Sequence, residues 1–229
     1  MKRMADFKWH NEAERQWDGR ADFWSKQSQS MWNSGSRSKI IPFFSKYVED
    51  NKYILDAGCG DGYGSYLLSE RGFKVVGADI STEMIEKANR RSQSDDLSFI
   101  QADLTNLPFE EETFSGVMAI NSIEWTEEPL QAINEIKRVT KPGGIFCAGL
   151  LGPTAGPRQH AYPRLYGEKV IQNTMMPWEF EQLVSENGWS DVDGQPVYKN
   201  AVKNEMTKSL PRELKQALSF MWVSILKKE

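Results

Sequence analysis

The chain has 229 residues, a formal net charge of −4 at pH 7 and a charged fraction of 26%. This length suits a single α/β domain with some elaborations. The acidic balance, with no Lys/Arg run longer than a pair, argues against a strong electrostatic hold on nucleic acid or on an anionic membrane. We therefore expect neither nucleic acid nor a membrane as a partner.

The amino terminus and the cysteines indicate the compartment and the redox chemistry. Residues 1–7 lack the apolar core of a signal peptide, and no apolar run approaches the length of a membrane span. The expected location is the cytoplasm. The two cysteines, Cys59 and Cys147, form no Cys-x-x-Cys or Cys/His cluster, so we expect reduced thiols and no metal site.

Residues 1–50 precede the first predicted strand and form an N-terminal helical extension. Gly19 is unfavourable inside a helix, yet the residues around it recur at helical spacing and predict one apolar face. These residues are Trp17, Ala21, Trp24, Ser28 and Met31. A second helix is predicted over residues 38–48. The extension either packs on the sheet that follows or covers a ligand pocket.

The stretch 54–64, with the sequence ILDAGCGDGYG, organises the rest of the chain. Residues 53–55 are typical of a short buried strand, and a helical pattern begins at Tyr63. A strand that turns through glycines into a helix is how α/β proteins build a nucleotide-binding edge, because glycine accepts positive φ and lets a ligand approach the backbone. The stretch therefore predicts a nucleotide site.

The spacing of the glycines excludes two common nucleotide motifs. A dinucleotide fingerprint, Gly-x-Gly-x-x-Gly or Ala, would end at Tyr63 if it began at Gly58, and at Ser65 if it began at Gly60. Neither register fits. No Gly-Lys-Ser/Thr follows either, so a phosphate-binding P-loop is also excluded.

Two aspartates follow the ends of the next predicted strands. Asp79 ends a buried strand, about twenty residues beyond the glycine turn, where an acid accepts hydrogen bonds from ribose hydroxyls. The alternative is that Asp79 starts the helix predicted over residues 82–91, but Ser81 can fill that N-cap role alone. Asp103 ends the following strand, where a carboxylate can accept a hydrogen bond from an adenine amine.

The remaining elements alternate in the manner of a doubly wound sheet. A fourth strand is predicted over 113–120, an amphipathic helix over 127–140, a strand over 145–150, a helix over 175–183 and a strand over 189–197. In the tail, residues 211–229, apolar residues again recur at helical spacing and predict a final helix, which would pack on the domain or pair with another copy of the chain. They are Leu214, Leu218, Met221 and Ile225.

Residues 152–176 form a long Pro/Gly-rich loop after the fifth strand. Such loops are often functional, and this one would leave the carboxyl end of the sheet, where ligands bind. It contains His160, which is either a general base or substrate-orienting residue or a solvated loop residue.

Taken in order, these motifs resemble those of class I S-adenosylmethionine-dependent methyltransferases of the small-molecule, methyltransferase domain 11-like type. Asp56, Gly58, Gly60 and Gly62 match the Asp-x-Gly-x-Gly-x-Gly of the first family motif. The matching motifs span roughly residues 50–150. The resemblance implies a Rossmann-like, doubly wound, seven-stranded, mostly parallel sheet with an antiparallel edge strand. It also implies a methyltransferase domain over 51–229 that carries the inserted loop 152–176, with residues 1–50 as a helical lid.

The same resemblance implies S-adenosyl-L-methionine as cofactor, with S-adenosyl-L-homocysteine as product, and the following site residues. The expected cofactor-binding residues are Gly58, Cys59, Gly60, Tyr63, Asp79, Ile80, Met84, Asp103, Leu104 and Asn121. The candidate substrate-binding residues are Trp17, Trp24 and Tyr162, and the candidate catalytic residues are Glu124 and His160. Two positions depart from the family pattern: Ser115 replaces a frequent Asp, and Glu124 with Trp125 occupies a loop that often carries His.

The expected reaction is transfer of a methyl group to a small-molecule acceptor by in-line displacement, in which the protein mainly aligns the reactants and excludes water. One alternative is a non-catalytic protein that binds the same cofactor. A nicotinamide-dependent reductase is a further alternative, disfavoured by the failed dinucleotide spacing and by Asp103. A monomer and a homodimer both remain open.

Overall fold

The computed structural model describes residues 7–49, 52–92 and 94–229 and contains one seven-stranded sheet. The strands are β1 (Tyr53–Ala57), β2 (Lys74–Asp79), β3 (Leu97–Gln101), β4 (Phe114–Ile120), β5 (Thr140–Leu151), β6 (Trp189–Tyr198) and β7 (Ser219–Lys228). Their spatial order is β3-β2-β1-β4-β5-β7-β6. The chain first builds outward from β1 to β3 and then returns to build from β4 in the other direction.

The directions of the strands confirm the predicted fold class. Strands β1 to β5 pair in parallel. Strand β7 pairs antiparallel with β5, and the edge strand β6 pairs antiparallel with β7. The reversal of strand order between β1 and β4 leaves a crevice at the carboxyl ends of these strands, which is the usual ligand site in such sheets.

Helices cover both faces of the sheet. They are α1 (Trp9–Asp18), α2 (Ala21–Asn33), α3 (Ile40–Phe44), α4 (Tyr63–Ser69), α5 (Thr82–Asn89), α6 (Pro129–Val139), α7 (Pro177–Glu186), α8 (Asn204–Thr207) and α9 (Arg212–Leu218). Because side chains alternate along a strand, Ile54 packs in a core cluster with residues of α3, α4 and α5, while Leu55 packs with residues of α6 and α7. Among the described helices, none is long and apolar enough to cross a membrane.

The helix predicted through Trp17 and Trp24 is interrupted at Gly19. Helix α1 ends there, where the backbone N–H of Gly19 bonds to Arg15 and that of Arg20 bonds to Trp17, and α2 begins at Ala21. A glycine supports a break because it is a poor helix former. The second predicted helix is real but shorter, and consists of α3 followed by turns.

The inserted loop 152–176 is ordered around one half-buried cation, Arg158. It contains a run of 3₁₀ turns, Gly156–Tyr166. The guanidinium of Arg158 donates hydrogen bonds to four backbone carbonyls, those of Leu151 (2.6 Å), Gly152 (2.8 Å), Thr174 (2.7 Å) and Met175 (2.8 Å). Arg158 therefore joins the start and the end of the loop to the end of β5.

The prediction of a helix through the whole tail was wrong. Helix α9 ends at Leu218, and the next ten residues form β7, an inner strand between β5 and β6. An inner strand is covered on both faces, so seven of the ten residues of β7 are buried, including the unbroken apolar run 221–223 and both Ile225 and Leu226. Met221 and Ile225 are four residues apart and both apolar because both are buried in this strand. Their spacing therefore does not distinguish a helix from a strand.

The tail residues give a test of this arrangement. We expect Ile225→Ala to lower the free energy of unfolding by roughly 2–5 kcal/mol, because Ile225 is 0% exposed in the core. We expect Leu214→Ala to change it by less than about 1 kcal/mol, because Leu214 on α9 is 49% exposed. Urea unfolding measures both. Equal losses would fit a single helix that buries both side chains, and would contradict the strand.

Candidate functional site

A cavity lies at the carboxyl ends of β1, β2, β3 and β4, beneath the N-terminal helices. It encloses about 1030 Å³ of empty space, counting its mouth open to solvent. Most of the predicted cofactor-binding residues line it: Gly58, Cys59, Gly60, Asp79, Ile80, Met84, Asp103, Leu104 and Asn121. The fold thus brings together residues from four separate loops, which is what the order of the strands requires.

The glycine loop needs its glycines for space as well as for backbone angle. Gly58 has φ of +80°, and a Cβ built on it would lie 2.3 Å from the Cβ of Ser122. Gly62 has φ of +75°, and its Cβ would meet the ring of Phe99 at 2.6 Å. A side chain at either position would clash, so the loop stays close to its neighbours and leaves its backbone facing the cavity.

Asp79 connects the glycine loop to β2. Its Oδ2 accepts a hydrogen bond from the backbone N–H of Gly60 (2.8 Å), and its Oδ1 accepts one from Ser81 (3.0 Å). Burial raises the pKa of this carboxyl above its usual value. The N-cap of α5 is Ser81, whose Oγ accepts from the N–H of Met84. Ser81 therefore caps the helix, and Asp79 is left on the cavity wall.

Asp103 contacts the N-terminal extension directly. Its Oδ1 accepts from the N–H of Thr105 (2.9 Å), while its Oδ2 lies 2.7 Å from Nε2 of His10 on α1. His10 also lines the cavity, although no sequence motif pointed to it. The predicted adenine-binding acid is thus the place where α1 is held against the sheet edge.

Helix α1 forms part of the roof through further polar contacts. The Oδ1 of Asp18 accepts hydrogen bonds from Ser81 Oγ (2.6 Å) and from the N–H of Glu83 (3.2 Å), both at the start of α5. At its other end, the indole N–H of Trp9 donates to the carbonyl of Trp125 (2.9 Å). The helix is therefore fixed on both sides of the cavity that it covers.

Four tryptophans line the cavity. Trp17 and Trp24 were predicted; Trp9 and Trp125 were not. The rings of Trp17 and Trp125 meet edge to face with centroids 4.9 Å apart, and those of Trp17 and Trp24 are 6.2 Å apart. This contact brings α1, α2 and the segment after β4 into one aromatic wall.

Two predicted aromatic site residues lie outside the cavity. Tyr63 is buried, and its hydroxyl donates a hydrogen bond to Oδ1 of Asn33 (3.2 Å). Tyr162 is 55% exposed, and its ring packs on that of Tyr166 with centroids 5.7 Å apart. The first belongs to the core and the second to the surface of the inserted loop.

The two candidate catalytic residues also lie outside the cavity lining. Glu124 is buried; its Oε1 accepts from the N–H of Leu151 (3.3 Å), and its Oε2 has no hydrogen-bond partner among the described residues. Burial raises the pKa of Glu124 to about 7. The ring of His160 lies 6.0 Å from that of Trp125, and burial lowers its pKa. Both therefore adjoin the wall that Trp125 presents to the cavity.

Asn121 faces the cavity in an unusual backbone conformation. Its φ is +57°, which asparagine tolerates better than most residues, and its N–H donates to the carbonyl of Gly149 (2.8 Å). Its Oδ1 is buried and has no hydrogen-bond partner within the described ranges. Such an atom on a cavity wall is suited to accept a hydrogen bond from a ligand.

Metal or thiolate chemistry finds no support in the residues that the structure describes. Within these residues, no group of three or more His, Cys, Asp or Glu side chains is placed to hold a metal ion. Cys59 lines the cavity, but burial raises the pKa of its thiol well above the usual value. A neutral thiol is a weak nucleophile.

Comparison with known proteins connects this site to a family. The family model described as a methyltransferase domain matches residues 55–148. A demethylmenaquinone methyltransferase of Renibacterium salmoninarum is 36% identical over 160 residues, which cover 61% of this chain and 67% of that relative. A malonyl-[acyl-carrier protein] O-methyltransferase of Hamiltonella defensa is 32% identical over 134 residues, covering 57% and 51%. This chain thus spans about half the length of some of its curated relatives.

Solved structures share the fold over nearly the whole chain. A complex between the Haloferax volcanii Trm112 methyltransferase activator and a putative methyltransferase contains a chain that matches with a TM-score of 0.74 and 18% identity, covering 94% of this chain and 97% of that one. A putative S-adenosylmethionine-dependent methyltransferase from Listeria monocytogenes matches with a TM-score of 0.63 and 19% identity, covering 84% and 97%. Together with the sequence relatives and the motif order, these matches confirm the resemblance: the chain belongs to the class I S-adenosylmethionine-dependent methyltransferases.

Proposed function

We propose that this protein transfers the methyl group of S-adenosylmethionine to a small-molecule acceptor by in-line displacement. A nucleophilic atom of the acceptor forms a bond to the methyl carbon while the carbon–sulfur bond breaks. The bonding electron pair stays on sulfur, which leaves S-adenosylhomocysteine. The observation that carries the proposal is that Asp79, Asp103 and the glycine loop line one roofed cavity.

The chemistry of the walls fits each part of this cofactor. The backbone of Gly58 and Gly60 would lie against the amino-acid half, because these two residues have no side chain to keep a ligand away. Asp79 would accept hydrogen bonds from the ribose hydroxyls, and Asp103 would accept one from the adenine amine. The N–H of Leu104 would meet a ring nitrogen. The cavity, with its mouth included, is at the upper end of the size range of small-molecule and cofactor sites.

Exclusion of water is the second task of the site. Ala13 of α1, Trp125 and Ile171 of the inserted loop form one buried cluster, so the N-terminal extension and loop 152–176 meet above the cavity. A roof made of these two segments would shield the sulfonium from solvent. The aromatic faces of Trp17 and Trp24 could also attract its positive charge by cation–π interaction.

The acceptor would occupy the part of the cavity near Trp17, Trp125, Leu151 and Pro157, all of which line it. An apolar and aromatic wall of this kind, under a closed roof, favours a small molecule or a small carried group over a folded macromolecule. The relatives named above are methyltransferases for demethylmenaquinone and for malonyl-[acyl-carrier protein], which are acceptors of these two kinds.

The proposal uses no general base. A sulfonium leaves as a neutral thioether and needs no proton, and neither Glu124 nor His160 lines the cavity. For Glu124 we propose instead a role in holding the inserted loop: its carboxylate holds the N–H of Leu151, and its backbone carbonyl accepts from the N–H of Asn173 (2.8 Å). A proton lost by the acceptor would then pass to a water molecule at the mouth of the cavity.

The cofactor assignment predicts a specific loss of binding. We expect the parent protein to bind S-adenosylhomocysteine in calorimetric titration and Asp79→Asn to bind it roughly 10- to 100-fold more weakly, because a charged hydrogen-bond acceptor is removed. Asp96→Asn is a matched control, since Asp96 pairs with Lys74 at the opposite end of the sheet. No binding by folded parent protein would contradict the proposal.

If the N-terminal extension is a lid, the bound cofactor product should protect it from proteolysis. Trypsin sites in α1 and α2, among them Arg15 and Lys26, should be cleaved several-fold more slowly in the presence of S-adenosylhomocysteine, because the ligand would bind under the extension and hold it closed. Cleavage is followed by gel and mass spectrometry. Asp79→Asn should lose this protection. Equal rates with and without ligand in the parent would show that the extension is not a lid.

The structural role of Glu124 predicts a pH-dependent stability difference. Its folded-state pKa of about 7 exceeds the ordinary 4.5, so the folded state binds more protons between these values, and the parent loses stability as pH rises through this range. Glu124→Gln cannot titrate. Its unfolding free energy relative to the parent should therefore rise by up to about 3 kcal/mol from pH 4.5 to 8 in urea unfolding. Asp56, whose pKa is also raised to about 7, is present in both proteins and cancels. Parallel pH profiles would contradict this role.

A further inference from the structure

Arg37 is a cavity residue that no sequence motif indicated. It lies on the tight turn between α2 and α3, where the N–H of Gly35 bonds to Ser30 (2.9 Å) and the N–H of Arg37 bonds to Met31 (3.0 Å). Its own carbonyl accepts from Ile40 (3.1 Å). The backbone of Arg37 is therefore held firmly, and its side chain lines the cavity beside the glycine loop.

The guanidinium of Arg37 is stacked but not paired. It lies over the ring of Trp24 (5.7 Å to the centroid) and over that of Trp32 (5.5 Å). Within residues 7–49, 52–92 and 94–229, it makes no ion pair and donates no hydrogen bond. Stacking uses the flat faces of a guanidinium and leaves its in-plane N–H groups available to a ligand.

The nearest acidic side chains are already engaged. Burial lowers the pKa of Arg37, and the charges of Asp56 and Asp61 oppose this effect. The Oδ2 of Asp56 accepts from Ser65 Oγ (2.6 Å). Asp61 accepts from Ser28 Oγ (2.7 Å) and pairs with the guanidinium of Arg91 (2.6 Å). The positive charge of Arg37 thus faces the cavity without a direct counter-ion.

Trp32, on which the guanidinium of Arg37 stacks, packs against the end of the glycine stretch 54–64. Trp32 packs so closely on Gly64 of α4 that a Cβ on this glycine would lie 2.5 Å from the indole ring. Gly64 thereby lets Trp32, and Arg37 above it, approach the loop that ends β1. A partly buried cation held in this way is suited to a carboxylate, because the two groups form paired, charge-assisted hydrogen bonds.

We infer that Arg37 binds the α-carboxylate at the amino-acid end of the cofactor. The inference rests on the proposed function, because the glycine loop beside Arg37 is where that end would lie. It also predicts that the cavity distinguishes ligands that have this carboxylate from ligands that lack it. Ligands that keep the carboxylate, such as S-adenosylhomocysteine, bind through Arg37, whereas 5′-methylthioadenosine, the same nucleoside without the amino acid, does not use it.

The test is calorimetric titration of both ligands into the parent, Arg37→Gln and Arg37→Lys. Arg37→Gln should weaken S-adenosylhomocysteine roughly 10- to 100-fold and change 5′-methylthioadenosine by less than about twofold. Arg37→Lys, which keeps the charge but loses the fork, should show a smaller loss for the first ligand alone. Arg20→Gln is the matched control: Arg20 also lies over a tryptophan, Trp17, but does not line the cavity, so it should bind both ligands as the parent does.

Three outcomes would overturn the inference. Equal weakening of both ligands by Arg37→Gln would mean that Arg37 only supports the shape of the cavity. Unchanged binding of S-adenosylhomocysteine by both variants would mean that the carboxylate is bound elsewhere. A parent that binds neither ligand would instead overturn the proposed function and this inference with it, and that result is visible before any variant is compared.

Discussion

Asp79 accepts two backbone hydrogen bonds, from Gly60 in the glycine loop and from Ser81 at the start of α5, so that one carboxylate joins three elements. The loop is held to the same strand a second time, because the N–H groups of Gly58 and Cys59 both donate to the carbonyl of Ala78. A loop with three positive-φ glycines would otherwise be among the least ordered parts of the chain. These contacts explain how the loop can present a defined backbone surface, and they give Asp79 a structural role at the same place where it lines the cavity.

The cavity has charges of opposite sign on its two sides. The sheet edge contributes Asp79 and Asp103, and the N-terminal extension contributes His10 and Arg37. Nε2 of His10 contacts Asp103 across the cavity, whereas the guanidinium of Arg37 makes no ion pair with any residue that the structure describes. A zwitterionic ligand with an adenosine end fits this distribution, because its carboxylate can meet the free cation while its nucleoside meets the acids. The extension is thus more than a hydrophobic cover: it supplies charge that the sheet lacks.

The sequence allowed the floor of the cavity to be predicted more fully than its roof, of which only Trp17 and Trp24 were expected. Gly58, Asp79 and Asp103 follow directly from local rules, since each stands just beyond a strand of recognisable pattern and all such ends meet at one edge. His10, Arg37 and Trp125 reach the cavity through tertiary contacts between distant segments, which no local spacing encodes. Tyr63 shows the opposite error, because its place in the motif suggested the cavity while its side chain points to Asn33. In β7, burial on both faces removed the alternation that distinguishes a strand from a helix.

The wall around Trp125 shows how structural and functional demands combine in this protein. Trp125 follows Glu124, whose carboxylate and backbone carbonyl accept hydrogen bonds from backbone N–H groups at the two ends of the inserted loop. Arg158 donates to backbone carbonyls at the same two ends. The buried Glu124 and the half-buried Arg158 therefore keep the loop against Trp125. Trp125 in turn accepts the hydrogen bond of Trp9 and packs on the ring of Trp17. In a displacement at an already activated sulfonium, the main requirements on the protein are to align the two reactants and to exclude water. Residues that hold this wall can then matter for catalysis without touching a reacting atom.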